Sequence, residues 1–296
     1  MKFNTLVKAT RGPFLILTPV CILFAYAIAA QTVHLPNIDD TLMILLGALA
    51  AHLAVNLLNE YQDFQSGLDL VTVKTPFSGG SGALPQDPQS AGLVLLSAIA
   101  GIAVVCWVGI HFVFGKGALA LLPMGALGLL LIVGYTRIIN RYAWLCLMAP
   151  GLGFGTLMVL CSVYLLSGKV TADTLLLSLV PFFLVNNLLL LNQFPDIEAD
   201  KSVGRRHFVI TYGPQQAARI YALFMVLPFV IIAGLMLSEK LPITAIWALM
   251  PLLPGILVVK TLNRLGADIA KEPKYLGLNV LVTLSTPTLL AIALLI

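Results

Sequence analysis

The chain of 296 residues carries 17 Lys and Arg against 13 Asp and Glu; only 10% of it is charged, while 59% falls in the AVILMFWYC set. Soluble domains average about 25% charged residues, so this chain lacks the charged shell that a water-soluble fold needs. Its net charge of +4 follows from the placement of basic loops and gives no reason to expect nucleic acid as a partner.

A helix needs about 20 mainly apolar residues to cross a bilayer core. Taken in order, apolar stretches near that length run over 14–30, 41–58, 91–114, 117–135, 144–166, 174–192, 218–237, 243–260 and 277–296. Regular short alternation of apolar and polar residues is missing, which argues against a transmembrane barrel. The expectation is an all-α, multi-spanning membrane bundle of about nine transmembrane helices, forming one domain over 1–296. Lys8 and Arg11 precede an apolar run ending Ala27-Ile28-Ala29, a pattern shared with secretory signals; an uncleaved first helix is expected. Cys21, Cys106, Cys146 and Cys161 stand singly inside apolar runs and read as small buried hydrophobes.

The basic residues orient these spans. With the N-terminus in the cytoplasm, 14 of the 17 bases fall on the cytoplasmic side, and only Lys116, Lys169 and Lys240 fall on the other. This matches the positive-inside rule and implies a cytoplasmic membrane with the N-terminus inside.

Seven of the 13 acids lie in two loops on that same side: Glu60, Asp63, Asp69 and Asp87 between the second and third spans, and Asp196, Glu198 and Asp200 between the sixth and seventh. His52, Asn56, Asn59 and Asp63 are spaced by 4, 3 and 4, which puts them on one helical face. A polar stripe descending into an apolar span is costly unless it meets a bundle interior or a wet cavity. Asn192, Asp196 and Asp200 repeat the spacing after a span that contains Asn186 and Asn187. Asn59-x3-Asp63 and Asn192-x3-Asp196 lie 133 residues apart and hint at two related halves facing one cavity. Mg2+ takes hard oxygen ligands and is commonly held by one or two carboxylates together with substrate phosphates. Asp63, Asp69, Asp196 and Asp200 are therefore candidate Mg2+ ligands around a diphosphate, with Asn56, Asn59 and Asn192 able to ligate or orient them.

Cations accompany the acids. Lys201, Arg205 and Arg206 follow Asp200, Lys74 follows Asp69, and Arg137 and Arg141 close the fourth span after Tyr135. Such groups beside a diphosphate would neutralise charge on a leaving group; positive-inside topology explains Arg141 and Arg206 equally well, while Lys74, Arg137 and Lys201 favour the functional role. The run Pro76-Phe77-Ser78-Gly79-Gly80-Ser81-Gly82-Ala83-Leu84-Pro85 is not a Walker sequence. It reads either as a lid over the diphosphate or as an ordinary flexible loop.

At these residues the chain resembles the UbiA superfamily of intramembrane aromatic prenyltransferases. Asn59-Glu60-Tyr61-Gln62-Asp63 with Asp69 is similar to that family's first Asn-Asp-x-x-Asp-x-x-x-Asp motif, with Glu60 for the usual Asp and the last acid two residues late. This longer form resembles the 1,4-dihydroxy-2-naphthoate branch, which serves menaquinone biosynthesis. Asp196-Ile197-Glu198-Ala199-Asp200 matches the second motif, and Tyr135-Thr136-Arg137 resembles the tyrosine and base after the fourth helix. Lys74-Thr75-Pro76 stands where relatives carry an Arg-Pro pair, leaving Lys74 as its replacement.

The resemblance implies a Mg2+-dependent enzyme with a polyprenyl diphosphate and an aromatic acceptor as substrates. Asp63, Asp69, Asp196 and Asp200 would bind metal, Lys201 and Arg137 would assist catalysis, and Asn56, Asn59, Lys74, Tyr135, Asn192 and Arg205 would contact substrate. Tyr61 or Tyr135 could steady an allylic cation by its aromatic face. Hydroxybenzoate, homogentisate, a porphyrin-type ring, a sugar or glycerol phosphate stand as alternative acceptors. A secondary transporter is the rival outside this class; transporters place polar sites near the bilayer midplane, whereas every carboxylate here lies at a span end or in a loop.

Overall fold

A computed structural model describes residues 2–33, 35–72, 74 and 77–296. Thr75 and Pro76, at the start of the glycine-rich segment, lie outside the described residues. The described residues form helices joined by short turns, with no strand among them.

A short amphipathic helix, α1 (Lys2–Ala9), precedes a 3-10 turn over Gly12–Ile16 and the first long apolar helix, α2 (Leu17–Ala30). Then come α3 (Ile38–Gln65), α4 (Leu68–Val71), α5 (Ala83–Gln86) and α6 (Ala91–Gly115). The next are α7 (Leu121–Gly134), α8 (Ala143–Pro150), a π-helical stretch over Gly151–Leu157, and α9 (Met158–Ser167). The chain ends with α10 (Ala172–Asn192), α11 (Ile197–Ser202), α12 (Phe208–Leu237), α13 (Leu252–Leu265) and α14 (Pro273–Leu295).

Among the described residues, eight helical segments are long and apolar enough to cross a membrane, and they coincide with eight of the nine expected spans. The ninth, α7, has 14 residues, about 21 Å at 1.5 Å per residue. It begins later than its apolar run because Gly117 takes a left-handed φ of 69° and turns the chain. The seventh span starts earlier than hydropathy suggested; α12 opens at Phe208 and breaks at Gly213 (φ 81°, ψ 163°), just before Pro214. α6 and α7 turn Trp107, Ile110, Leu130 and Val133 outward, a surface that lipid solvates and water would not.

Without a hydrophobic drive between helices inside lipid, close backbone approach and buried hydrogen bonds hold the bundle. A Cβ on Gly151 would fall 2.2 Å from Phe182 O, and one on Gly155 would fall 2.3 Å from Phe182 N. These glycines let the π-helical stretch lie directly on α10, where Asn186 Oδ1 accepts from Gly151 N–H at 2.6 Å. Asn187 Nδ2 donates to Tyr221 O at 2.9 Å, Tyr221 Oη donates to Asn279 Oδ1 at 2.9 Å, and Asn279 Nδ2 donates to Asn187 O at 3.2 Å. Asn186 and Asn187 therefore join α10 to its neighbours and do not extend the acidic face. Helical phase explains this: six and five residues from Asn192, they are rotated by about 120° and 140° from it.

Candidate active site

The two acidic loops meet at one end of the bundle, around a cavity of about 310 Å3 that runs down between the helices. The α3 face delivers His52, Asn56, Asn59 and Asp63 to its wall. α3 ends at Gln65 with Ser66 as its cap, and Gly67 takes φ 78°, a left-handed turn that costs glycine little. That turn swings Asp69, on α4, back to the same cavity, which accounts for an acid placed two residues later than in the related motif. From the other side the end of α10 supplies Asn192, the turn after it Gln193 and Asp196, and α11 Asp200.

Arg205 joins the two clusters. Gly204 takes φ 82°, so Arg205 N–H returns to Asp200 O at 3.0 Å. The guanidinium then donates from Nη1 to Asp200 Oδ1 at 2.8 Å and from Nη2 to Asp63 Oδ1. His207 Nε2 stands 3.2 Å from Asp200 Oδ2, and both side chains are buried. Burial disfavours the charged guanidinium of Arg205, but Asp63 and Asp200 more than offset this, and its pKa rises above the ordinary arginine value.

The described part of the glycine-rich segment crosses the mouth between the clusters. Gly79 N–H donates to Asp196 Oδ2 at 3.2 Å. Gly80 has φ 70°, and a Cβ there would fall 2.7 Å from Asp69 Oδ1. Ser81 N–H donates to Glu60 Oε2 at 3.1 Å, and Ser81 Oγ donates to Glu60 Oε1. Glu60 is fully buried and also faces Arg11 Nη2 at 3.5 Å. Its side chain, longer than the Asp of the related motif, thus holds the loop from below.

Asp69 and Asp196 are the poorly compensated acids. Burial, then the neighbouring Glu60 and Asp63 charges, push Asp69 up to about 7 against the pull of Arg11 and Lys74. Burial, then Asp200, raise Asp196 to about 7 despite the Gly79 N–H. Among the described residues, Asp69 Oδ2, Asp196 Oδ1 and Asn192 Oδ1 are buried without a hydrogen-bond partner. Four carboxylates line the cavity against two guanidiniums, Arg11 and Arg205. This hard-oxygen, net-negative set fits a divalent cation such as Mg2+. Among the described residues no three His, Cys, Asp or Glu side chains converge on one ion position. The four aspartates encircle the cavity, and an ion held there would draw its remaining ligands from a bound phosphate.

Of the other residues singled out from the sequence, Asn56, Asn59, Tyr135, Asn192 and Arg205 line the cavity. Asn56 Nδ2 donates to Thr10 O at 2.9 Å, and Asn59 Oδ1 accepts from Thr136 Oγ1. Tyr135 Oη lies 3.9 Å from Cys146 Sγ, which also receives Gln193 Nε2 at 3.5 Å. Lys201, Arg137 and Lys74 are exposed and do not line the cavity. Lys201 follows Asp200 on a helix, and a step of about 100° turns it away. Arg137 points out where Tyr135 and Thr136 point in. Lys74 lies across Gly82, where a Cβ would meet its Nζ at 1.2 Å, and its charge pulls the Asp69 pKa down. Arg11 and His207 line the cavity and were not legible as site residues. Arg11 reaches it through a left-handed φ of 52° that no sequence pattern announces.

Fold and site together define an intramembrane helical bundle with paired acidic motifs over an apolar cavity. The chain belongs to the UbiA prenyltransferase family, whose model matches residues 18–281. It is 27% identical over 205 residues to a 1,4-dihydroxy-2-naphthoate octaprenyltransferase of Bacillus subtilis (strain 168), a match covering 67% of this chain and 62% of the relative. Its fold is similar to an apo structure of a UbiA homolog from Aeropyrum pernix K1, with a TM-score of 0.73 at 16% identity over 96% of this chain and 97% of that one. It is also similar to a UbiA homolog from Archaeoglobus fulgidus bound to GPP and Mg2+, with a TM-score of 0.60 at 14% identity over 98% and 100% of the two chains.

Proposed function

We propose that this protein transfers a polyprenyl group from its diphosphate to an aromatic acceptor within the membrane, the acceptor being 1,4-dihydroxy-2-naphthoate in menaquinone biosynthesis. The observation that carries this reading is a pair of carboxylate oxygens without a partner among the described residues, Asp69 Oδ2 and Asp196 Oδ1, on two facing acidic motifs above one apolar cavity. The B. subtilis relative supports the acceptor, and the A. fulgidus structure supports a prenyl diphosphate with Mg2+.

Asp63, Asp69, Asp196 and Asp200 would hold Mg2+, which when bound supplies positive charge to a departing diphosphate. Arg205, already between Asp63 and Asp200, presents a bidentate guanidinium suited to phosphate oxygens. Arg11 is the second cation in the wall, so the leaving group is served by Arg205 and Arg11 more directly than by Lys201, Arg137 or Lys74. Gly79 and Gly80 keep the mouth loop close to the acids. Below them Leu131, Ile132, Phe154, Leu157 and Leu188 form an apolar wall. That wall excludes water from the allylic carbon as its C–O bond breaks, and the Tyr135 ring borders the same space.

The isoprenoid tail is itself apolar, which is a physical reason for the enzyme to sit in lipid. The whole chain acts as one domain in a bacterial inner membrane, with the N-terminus and acidic loops cytoplasmic, as the distribution of basic residues supports. Purified protein incubated with Mg2+, a labelled polyprenyl diphosphate and a panel of aromatic acceptors tests this reading. The expected product mass is that of prenylated, decarboxylated dihydroxynaphthoate; product from hydroxybenzoate or homogentisate alone would reassign the acceptor.

A further inference from the structure

The diphosphate site uses the mouth end of the α3 polar face and leaves His52 without a role. His52 precedes Asp63 by 11 residues, roughly 16 Å along the helix at 1.5 Å per residue, so it lies in the apolar depth of the same cavity. Val55, Phe154 and Met158 line the cavity with it. The His52 and Phe154 rings meet edge to face, with centroids 4.5 Å apart.

On its other side His52 Nδ1 lies 2.8 Å from Thr18 Oγ1 of α2. Thr18 is fully buried, and His52 is the one partner of its hydroxyl among the described residues. A hydroxyl proton left unpaired in an apolar interior is costly, so Thr18 donates to Nδ1. That bond fixes the neutral ring as the Nε2–H tautomer. Nε2 has no hydrogen-bond partner among the described residues and is not sealed in protein. The cavity thus has two polar ends: acids at the mouth, and one oriented N–H donor at depth.

An isoprenoid tail offers that donor no acceptor and would leave it unpaired. A ring bearing a hydroxyl or carboxylate oxygen satisfies it. We propose that His52, oriented by Thr18, binds an oxygen of the acceptor ring, which lies against Phe154; this end of the cavity selects an oxygenated aromatic ring over hydrocarbon. The proposal rests on the prenyl-transfer reading, in which the acids take the diphosphate and the acceptor approaches the neighbouring carbon from the membrane side.

The test measures KM for each substrate, and direct binding of 1,4-dihydroxy-2-naphthoate, in wild type, His52→Phe, His52→Gln and Thr18→Val. His52→Phe is expected to weaken acceptor binding and raise its KM about tenfold or more, with KM for the prenyl diphosphate unchanged. His52→Gln, which keeps an N–H donor, should recover most of that loss, and Thr18→Val should fall between. An unchanged acceptor KM in a folded His52→Phe variant, a rise in the diphosphate KM instead, or a Gln variant as impaired as Phe would overturn the proposal. Wild-type protein that transfers no prenyl group would instead defeat the prenyl-transfer reading, and the binding arm would still decide the role of His52.

Discussion

Arg205 and Asp63 are 142 residues apart in sequence, and their side chains are joined at the mouth of the cavity. Through this pair, and the further bond to Asp200, one guanidinium ties the two acidic motifs together. The α3 end of the bundle and the α10 end are thereby held in register around a single site.

Removing that guanidinium takes from Asp63 and Asp200, both buried, the cation that hydrogen-bonds to each of them. Arg205→Gln should cost about 3 kcal/mol of stability in metal-free protein, the scale of breaking one partner from a buried ion pair. Part of this loss should return when Mg2+ is added, because a divalent cation can offset the same charges. Thermal unfolding in detergent with and without Mg2+ reads both effects; an Arg205→Gln variant as stable as wild type would show that the acids do not rely on it.

The glycines of the mouth loop differ in what a methyl group would meet. At Gly80 it would strike Asp69 Oδ1 at 2.7 Å, while at Gly82 it would strike the mobile end of Lys74. Both positions have positive φ, so Ala adds backbone strain of about 1 kcal/mol at each. Gly80→Ala should therefore reduce kcat/KM for the prenyl diphosphate well below Gly82→Ala at comparable stability. Equal kinetic losses would mean that backbone strain alone matters.

Asp69 and Asp196 retain protons up to about pH 7 in the metal-free fold. Their unfolded values lie near 3.9, so between these limits the folded chain binds more protons than the unfolded one. The stability contributed by these two groups is full below about pH 4 and is lost as pH rises through 7. Mg2+ needs the deprotonated acids. Metal-free protein should melt higher at about pH 5.5 than at about pH 8, and Mg2+ should raise the melting temperature more at the higher pH. The reverse order would place the titrating groups elsewhere.

The Asn187–Tyr221–Asn279 network lies away from the cavity lining. Tyr221→Phe strips the hydrogen bond from Asn279 Oδ1 and should cost about 1 kcal/mol, the scale of interhelical bonds in membranes. Turnover per folded molecule should not change, and a fall in kcat would tie the network to catalysis.

Hydropathy and the positions of a few acids made the bundle and the acidic faces legible, because apolar length and helical spacing act locally. The 4-3-4 stripe from His52 to Asp63 lies along one cavity wall as the spacing requires. What stayed hidden depends on turns. Left-handed residues at Arg11, Gly67 and Gly204 decide that Arg11, Asp69 and Arg205 enter the cavity. Lys201 and Arg137, equally close to the motifs in sequence, turn outward because neighbouring residues on a helix or turn face different ways. Glu60 looked like a departure from a motif; the loop it anchors through Ser81 explains its extra methylene.

Magnesium-dependent prenyl transfer is tested most directly by product formation by purified wild type, Asp63→Ala and Asp196→Ala with a polyprenyl diphosphate and 1,4-dihydroxy-2-naphthoate, with Mg2+ and with a chelator. A prenylated naphthol product that requires Mg2+ is expected, with a rate lowered about 100-fold or more in either variant. Transfer at the wild-type rate by Asp196→Ala, or transfer unaffected by the chelator, would contradict it.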